Sequence, residues 1–135
     1  MLTTTLLLFS GCIPKMQTII PTVEGQIIDA KTNQPVTYVN IENPKHKVKS
    51  DQKGHFILRG EKELGIATVM GGLWRIKHSF FISKKGYYPL SCECDVLNTR
   101  SGCYNLTIPL TKIGNNTVKS YHEDSLTCFT IPVAK

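Results

Sequence analysis

Residues 23–41 read VEGQIIDAKTNQPVTYVNI and determine the class of fold. They cover most of two apolar, β-branched runs, Thr22–Asp29 and Val36–Asn43. Between these runs lie the polar segment Ala30–Gln34 and Pro35. β-Branched side chains fit the pleated surface of a sheet, whereas Asn, Asp and Pro favour turns. The alternation of apolar and polar residues in the second run is typical of a half-buried strand. The stretch therefore predicts two short strands joined by a turn.

Composition extends this prediction to the whole chain. The 135 residues include fourteen Thr, thirteen Ile and eight Val but only three Ala, which is the strongest helix former. A helical bundle is excluded on this ground. Charged residues make up 19% and hydrophobic residues 41%, which excludes a disordered chain. The length suits one domain of ordinary size.

Further short runs follow, bounded by Gly, Pro, Asn or Asp. These predicted strands are Lys45–Ser50, His55–Arg59, Ile66–Ile76, Ser79–Lys84, Tyr87–Cys94 and Tyr104–Leu110. Gly60–Gly65 reads as a charged loop, and Gly71–Gly72 reads as a bulge or a loop tip within the third run. Short strands at this spacing predict an all-β, antiparallel β-sandwich with little helix.

Three segments carry a family resemblance. They are Val23-x-Gly25-x-Ile27-x-Asp29-Ala30-x-Thr32-x-x-Pro35-Val36-x-x-Val39-x-Ile41, Ser50-Asp51-x-x-Gly54-x-Phe56 and Lys85-Gly86-Tyr87. Together they resemble the carboxypeptidase regulatory-like domain, a seven-stranded transthyretin-like sandwich, from Val23 to about Leu110. The resemblance implies a single sandwich domain over residues 22–135, including a C-terminal tail. It implies no catalysis, since this module is an accessory domain beside the zinc peptidase.

The N-terminus reads MLTTTLLLFSGC and ends at Cys12. The apolar run Leu6–Phe9 and the small pair Ser10–Gly11 before that cysteine resemble a bacterial lipoprotein signal peptide. The resemblance implies a signal peptide over 1–11, a tether over 12–21, and a Cys12 thiol that receives a diacylglyceryl group and carries palmitate-type chains. No charge precedes Lys15, and the apolar run is shorter than the usual ~7–15 residues. The alternative is a first strand that contains a cysteine.

Removing Cys12 from the count leaves an even set of four cysteines. In an oxidising compartment, four cysteines indicate two disulfides, with three possible connectivities. Cys92–Cys94 is the least favourable pair because the small ring would be strained. We expect Cys94–Cys103 across a hairpin and Cys92–Cys128 to the C-terminal tail. A zinc site would need closer paired spacings, and a redox pair would read C-x-x-C, so neither is expected.

The formal net charge of +6 has its densest positive stretch at Lys45, Lys47 and Lys49. These lysines form a possible surface for anionic headgroups, or protect an edge strand from unwanted pairing. Trp74 is either part of the core or a second possible binding surface. His122–Asp124 reads as a solvated loop. We expect no metal site.

These features predict a non-enzymatic envelope lipoprotein that is anchored in a membrane and presents a sandwich to a protein partner. No Asp follows Cys12 directly, which in Gram-negative lipoproteins points to the outer membrane, facing the periplasm. Two alternatives stay open: a periplasmic binder of a small carbohydrate or peptide that uses the Trp74 region, and an accessory domain of a secretion or transport assembly. No cofactor and no nucleic acid are expected.

Overall fold

The computed structural model describes residues 12–68, 74–114, 120–123 and 125–132. These residues form eleven strands and no helix. The strands are β1 Cys12–Ile20, β2 Thr22–Asp29, β3 Asn40–Glu42, β4 Lys47–Lys49, β5 His55–Leu58, β6 Glu61–Thr68, β7 Arg75–Ser83, β8 Leu90–Leu97, β9 Gly102–Leu110, β10 Ser120–Glu123 and β11 Leu126–Thr130. The all-β prediction is therefore confirmed.

The strands form two larger sheets and a two-stranded ribbon. The six-stranded sheet has the order β10-β11-β8-β7-β3-β4, and every neighbouring pair in it is antiparallel. The three-stranded sheet has the order β5-β2-β9, and β2 runs parallel to β9. The ribbon consists of β1 and β6. The expectation of a wholly antiparallel fold is wrong at β2–β9, because these strands are distant in the sequence and joined by no hairpin.

One hydrophobic core draws residues from both larger sheets, which gives the molecule a sandwich-like arrangement. Strand β8 shows the pattern, since its residues alternate between buried and half-buried from Leu90 to Leu97. Phe80 and Ile82 enter the core from β7, and Ile27 enters it from β2. Each such side chain contributes about 1.5–3 kcal/mol through burial. The alternation fixes the register, because a slip of one residue would turn this set toward solvent.

Two glycines of the quoted segments have a structural reason: a close approach at Gly25 and a positive φ at Gly54. A Cβ at Gly25 would lie 2.6 Å from the carbonyl oxygen of Leu106 on the neighbouring strand. Gly54 has a φ of 77°, which closes the turn that begins at Asp51. The Asp51 carboxylate accepts hydrogen bonds from the backbone N–H groups of Lys53 and His55, both at 2.9 Å. This is the tight turn that the sequence predicts before the buried Phe56.

Three local expectations differ from the structure. The segment 12–21, expected to be a tether, contains strand β1, and the charged segment Gly60–Gly65 lies largely in strand β6. These two strands satisfy each other's backbone groups over eight paired positions, which neither segment reveals by itself. The C-terminal tail contributes two strands, β10 and β11, of which β11 extends the six-stranded sheet at β8. Of the predicted strand Ile66–Ile76, residues 66–68 belong to β6 and residues 75–76 to β7, while residues 69–73 lie outside the described residues.

Both disulfides are present with the pairing that the sequence favours. Cys92–Cys128 joins the neighbouring strands β8 and β11, with a Cα–Cα distance of 4.0 Å. Cys94–Cys103 joins β8 to β9 over 6.2 Å, and these strands belong to different sheets. It therefore connects the two layers of the sandwich and does not span a hairpin. The C-x-C spacing accounts for the arrangement, because residues two apart on a strand point to the same face.

Candidate interaction surfaces

The outer face of the six-stranded sheet carries an exposed aromatic pair. Phe81 on β7 lies opposite Ser91 on β8, and Ser91 lies opposite Phe129 on β11. The two rings are 45% and 55% exposed. Because neighbouring strands are about 4.8 Å apart, the backbones of the two phenylalanines are separated by about 10 Å, with a small side chain between them. We call these three residues the aromatic row.

Polar residues border the aromatic row. The next row along the same face contains Ser79, Glu93 and Thr127, in that order across β7, β8 and β11. At the end of this face, the Arg75 guanidinium bonds the Asp95 carboxylate at 2.9 Å. An apolar centre with a polar border is the usual composition of a protein–protein interface. Sequence reasoning did not single out the aromatic row, although Phe80 and Phe81 are adjacent and only one of them can face the core.

The predicted basic surface is divided by an ion pair. The Lys45 ammonium group lies 3.0 Å from the Glu61 carboxylate, and the His46 imidazole lies 3.5 Å from it. The hydrogen bond from Lys45 lowers the pKa of Glu61, and partial desolvation opposes this shift. The charge of Lys45 and the neighbouring His46 lower the pKa further. Lys47 and Lys49 are exposed on β4, at the edge of the six-stranded sheet. Among the described residues, Lys45 forms an ion pair, whereas these two lysines do not.

Trp74 is 44% exposed, so the core interpretation of this residue is wrong. Its backbone is held by Asn98: the Trp74 carbonyl accepts a hydrogen bond from the Asn98 N–H at 2.9 Å, and the Trp74 N–H donates to Asn98 Oδ1 at 3.3 Å. Trp74 lies just before β7, outside the strand whose alternate residues enter the core. Gly71–Gly72 lies outside the described residues.

The free edge of β9 is closed by side chains of β10. The Thr107 N–H donates to the Glu123 carboxylate at 3.0 Å, and the Tyr121 hydroxyl contacts both the Thr107 carbonyl oxygen and that carboxylate. Burial raises the pKa of Tyr121, and the neighbouring Glu123 raises it further. Pro109 presents no N–H at the same edge. These contacts protect β9 from pairing with another chain.

Two residues of the expected loop His122–Asp124 lie in a strand. His122 and Glu123 belong to β10 and point to opposite faces, and Asp124 lies outside the described residues. The His122 Nδ1 lies 2.8 Å from the Thr127 hydroxyl, whereas Glu123 turns toward β9. In the described part of the chain, no three His, Cys, Asp or Glu side chains are grouped so that they could hold a metal ion.

One further polar contact joins the end of β2 to the segment before β8. The Tyr87 hydroxyl donates to Asp29 Oδ2 at 2.9 Å, while Asp29 Oδ1 accepts from the backbone N–H groups of Lys31 and Thr32 at 2.9 and 3.1 Å. Burial opposes ionisation of Asp29, but these bonds outweigh it and lower its pKa. Burial, with the hydrogen bond to Asp29, raises the pKa of Tyr87 to about 12. The contact is structural, since a buried carboxylate here fixes a turn.

Comparison with known proteins gives no assignment, because no protein-family model and no curated protein matches the chain. The described residues include no helix that is long and apolar enough to cross a membrane. Cys12, the predicted lipid acceptor, is the first residue of β1 and pairs with Thr68 of β6.

Proposed function

We propose that this chain is a non-enzymatic lipoprotein of the bacterial envelope. In this proposal Cys12 carries the lipid anchor in the outer membrane, and the sandwich docks a protein partner through the aromatic row in the periplasm. The observation that carries the docking function is the pair of exposed phenylalanines, Phe81 and Phe129, in register on either side of Ser91.

We assign the sandwich to the carboxypeptidase regulatory-like, transthyretin-like class. Within the resembling stretch the described strands are β2 to β9, of which β6 belongs to the ribbon. The remaining seven strands equal the number in that family. The ribbon strands and the C-terminal strands β10 and β11 are then additions of this chain. The described turn at Asp51–Gly54 and the contact across Gly25 support the assignment.

The position of Cys12 suits an anchor. Eight backbone pairs connect β1 to β6, which corresponds to a ribbon roughly 25 Å long. Its base contacts the sandwich at Thr18, whose hydroxyl donates to the Arg100 carbonyl at 2.8 Å. Cys12 lies at the opposite end. A lipid on this residue would hold the sandwich at a ribbon's length from the bilayer, with three acyl chains giving stable attachment.

The aromatic row suits a protein partner because of its chemistry. Aromatic residues are enriched at the centres of protein–protein interfaces and dominate their binding energy. Ser91 leaves room between the two rings, so that a partner's apolar side chain can enter and contact both. Strand addition at the β9 edge is a weaker alternative, since this edge is closed by Tyr121 and Glu123.

Site-specific photocrosslinking tests the docking function. A photoreactive phenylalanine analogue is placed at Phe81 or Phe129 in cells that express the full chain, and adducts are identified by mass spectrometry. Tyr38 is the matched control, because it is an aromatic residue with 56% exposure outside the aromatic row. We expect the same heavier adduct from Phe81 and Phe129 and not from Tyr38. Equal adducts from all three positions, or none, would contradict the proposal.

The anchor has an independent test. Cys12→Ser removes the thiol, so metabolic labelling with an alkyne fatty acid should mark the wild-type chain and not the variant. The variant should also move from the membrane fraction to the soluble fraction. Lys15→Gln is the control, because it alters the same strand and keeps the thiol. Continued membrane association of Cys12→Ser without label would rule out this anchor.

A further inference from the structure

The outer face of the three-stranded sheet differs from the aromatic row and carries polar side chains in register. His55 on β5 lies opposite Gln26 on β2, and Gln26 lies beside Thr107 on β9. Directly opposite residues in a sheet have Cβ atoms about 5 Å apart. An imidazole, an amide and a hydroxyl therefore stand side by side across all three strands.

A β-bulge adds a second polar row. The pairing of β2 with β9 shifts from Val23–Cys103 to Gly25–Leu106, so two residues of β9 lie opposite Glu24. One of them, Asn105, has a φ of 57°, a left-handed conformation that Asn tolerates better than most residues. Bulges of this kind redirect side chains and are frequent beside binding sites.

The two rows surround a shallow concavity of about 280 Å³ on this face. Its rim consists of five polar side chains: Glu24, Gln26, His55, Asn105 and Thr107. Gly25 and Leu106 lie at its floor, and both occupy buried positions of their strands.

The hydrogen-bonding groups of the rim are available to a ligand. Gln26 Nε2 donates to the Lys53 carbonyl at 2.8 Å, which fixes the amide and presents its oxygen. The Thr107 N–H is used by Glu123, but its hydroxyl is not. The side chains of Glu24 and Asn105 likewise have no hydrogen-bond partner among the described residues. The rim thus offers a carboxylate, two amides, a hydroxyl and an imidazole.

We propose that this concavity binds a neutral saccharide. Vicinal hydroxyl groups donate and accept at once, and they match a rim of mixed donors and acceptors fixed on strands. An inorganic anion is disfavoured by Glu24. A metal ion would lack ligands, since no group of three suitable side chains occurs among the described residues. Exposed Ile57 and Tyr104 on the same two edge strands offer apolar area to the C–H face of a sugar ring.

This site lies on the opposite layer from the aromatic row, so the two proposals fail independently. The test is a titration of the full chain in detergent micelles with maltose, cellobiose and N,N′-diacetylchitobiose, followed by saturation-transfer NMR and calorimetry. Magnesium chloride and inorganic phosphate are tested in parallel. We expect saturable binding of at least one disaccharide and no binding of either salt.

Asn105→Gly is the decisive variant, because glycine keeps the positive φ of the bulge and removes only the amide. Its disaccharide affinity should fall at least tenfold. Asn33→Gly is the matched control: Asn33 also has a positive φ, 60°, but lies in the turn after β2. Its affinity should equal that of the wild type. The proposal is overturned if no disaccharide binds, if only a salt binds, or if both variants keep wild-type affinity.

Discussion

The two larger sheets are alike on their inner faces and differ on their outer faces. Each sheet buries its inward residues in one core, and Phe80 and Phe56 serve that purpose on opposite layers. Outward, the six-stranded sheet presents the rings of Phe81 and Phe129, whereas the three-stranded sheet presents a polar concavity around Gly25. The core does not require either outer pattern. Both binding proposals rest on these outward residues, and they assign a different class of ligand to each face.

The two outer faces keep their places only while the two layers stay joined, so we expect the disulfides to contribute most to stability. In the chain-entropy account, Cys92–Cys128, with a sequence separation of 36, contributes about 4 kcal/mol, and Cys94–Cys103, with a separation of 9, about 2.5 kcal/mol. We expect the paired alanine variants to lose free energy of unfolding in this order in urea titrations. The reverse order would show that joining the layers matters more than the length of the closed loop.

A smaller effect is expected at the hydrogen bond that joins β2 to the segment before β8. Tyr87→Phe removes the donor to the buried Asp29 carboxylate and should cost about 2 kcal/mol in the free energy of unfolding. Tyr104→Phe is the control, because the Tyr104 hydroxyl bonds Ser101 at an exposed position. Its effect should stay within about 0.5 kcal/mol. Similar losses in both variants would contradict the role given to Asp29.

The inner face of β7 carries a histidine whose protonation is coupled to folding. His78 lies opposite Cys94, and its Nε2 atom is buried without a partner among the described residues. Desolvation lowers the pKa of His78 below its ordinary value of 6.5. The folded state thus binds protons more weakly than the unfolded state. The stability from neutral His78 is complete above about pH 6.5 and is lost as the pH falls through the lowered pKa.

The variant His78→Gln isolates this contribution. Unfolding free energies of the wild type and the variant are measured from pH 8 to pH 5. The difference between the two proteins should change in this interval, with the wild type losing more stability toward acid. A constant difference across the interval would show that His78 does not titrate differently on folding.

Part of this architecture is readable in the sequence. The bounds of β2, Thr22–Asp29, follow from a β-branched run and the turn-forming residues after it. The even count of cysteines and the C-x-C spacing leave two disulfide connectivities, and the expected one is present, although Cys94–Cys103 joins two sheets and not the strands of a hairpin. The Asp51–Gly54 turn follows from local turn chemistry. All of these depend on residues that are close in the chain or on simple enumeration.

The remaining features depend on pairing between distant segments. Gly60–Gly65 has the composition of a loop and becomes strand because β1 supplies hydrogen-bonding partners. The polar concavity requires the parallel register of β2 with β9 and a bulge at Asn105, neither of which has a local signal. The aromatic row had a partial signal, since Phe81 follows the buried Phe80 and must face outward.

We expect the exposed rings of the aromatic row to contribute little to the free energy of unfolding. Phe81→Thr and Phe129→Thr keep a residue that favours strands and remove exposed rings. The free energy of unfolding should change by no more than about 0.5 kcal/mol in each variant. Chemical denaturation measures this directly. A loss above about 2 kcal/mol would show that the rings serve the fold and would weaken their assignment to binding.

The double variant Phe81→Thr/Phe129→Thr therefore provides the most direct test of the docking claim. The partner identified by crosslinking is quantified by mass spectrometry after purification of the full chain from crosslinked envelopes. Tyr38→Asn is the control, since Asn tolerates the φ of 54° at that position. We predict that the double variant recovers less than a tenth of the wild-type amount of partner, while the control recovers the wild-type amount. Undiminished recovery by a folded double variant would contradict docking through the aromatic row.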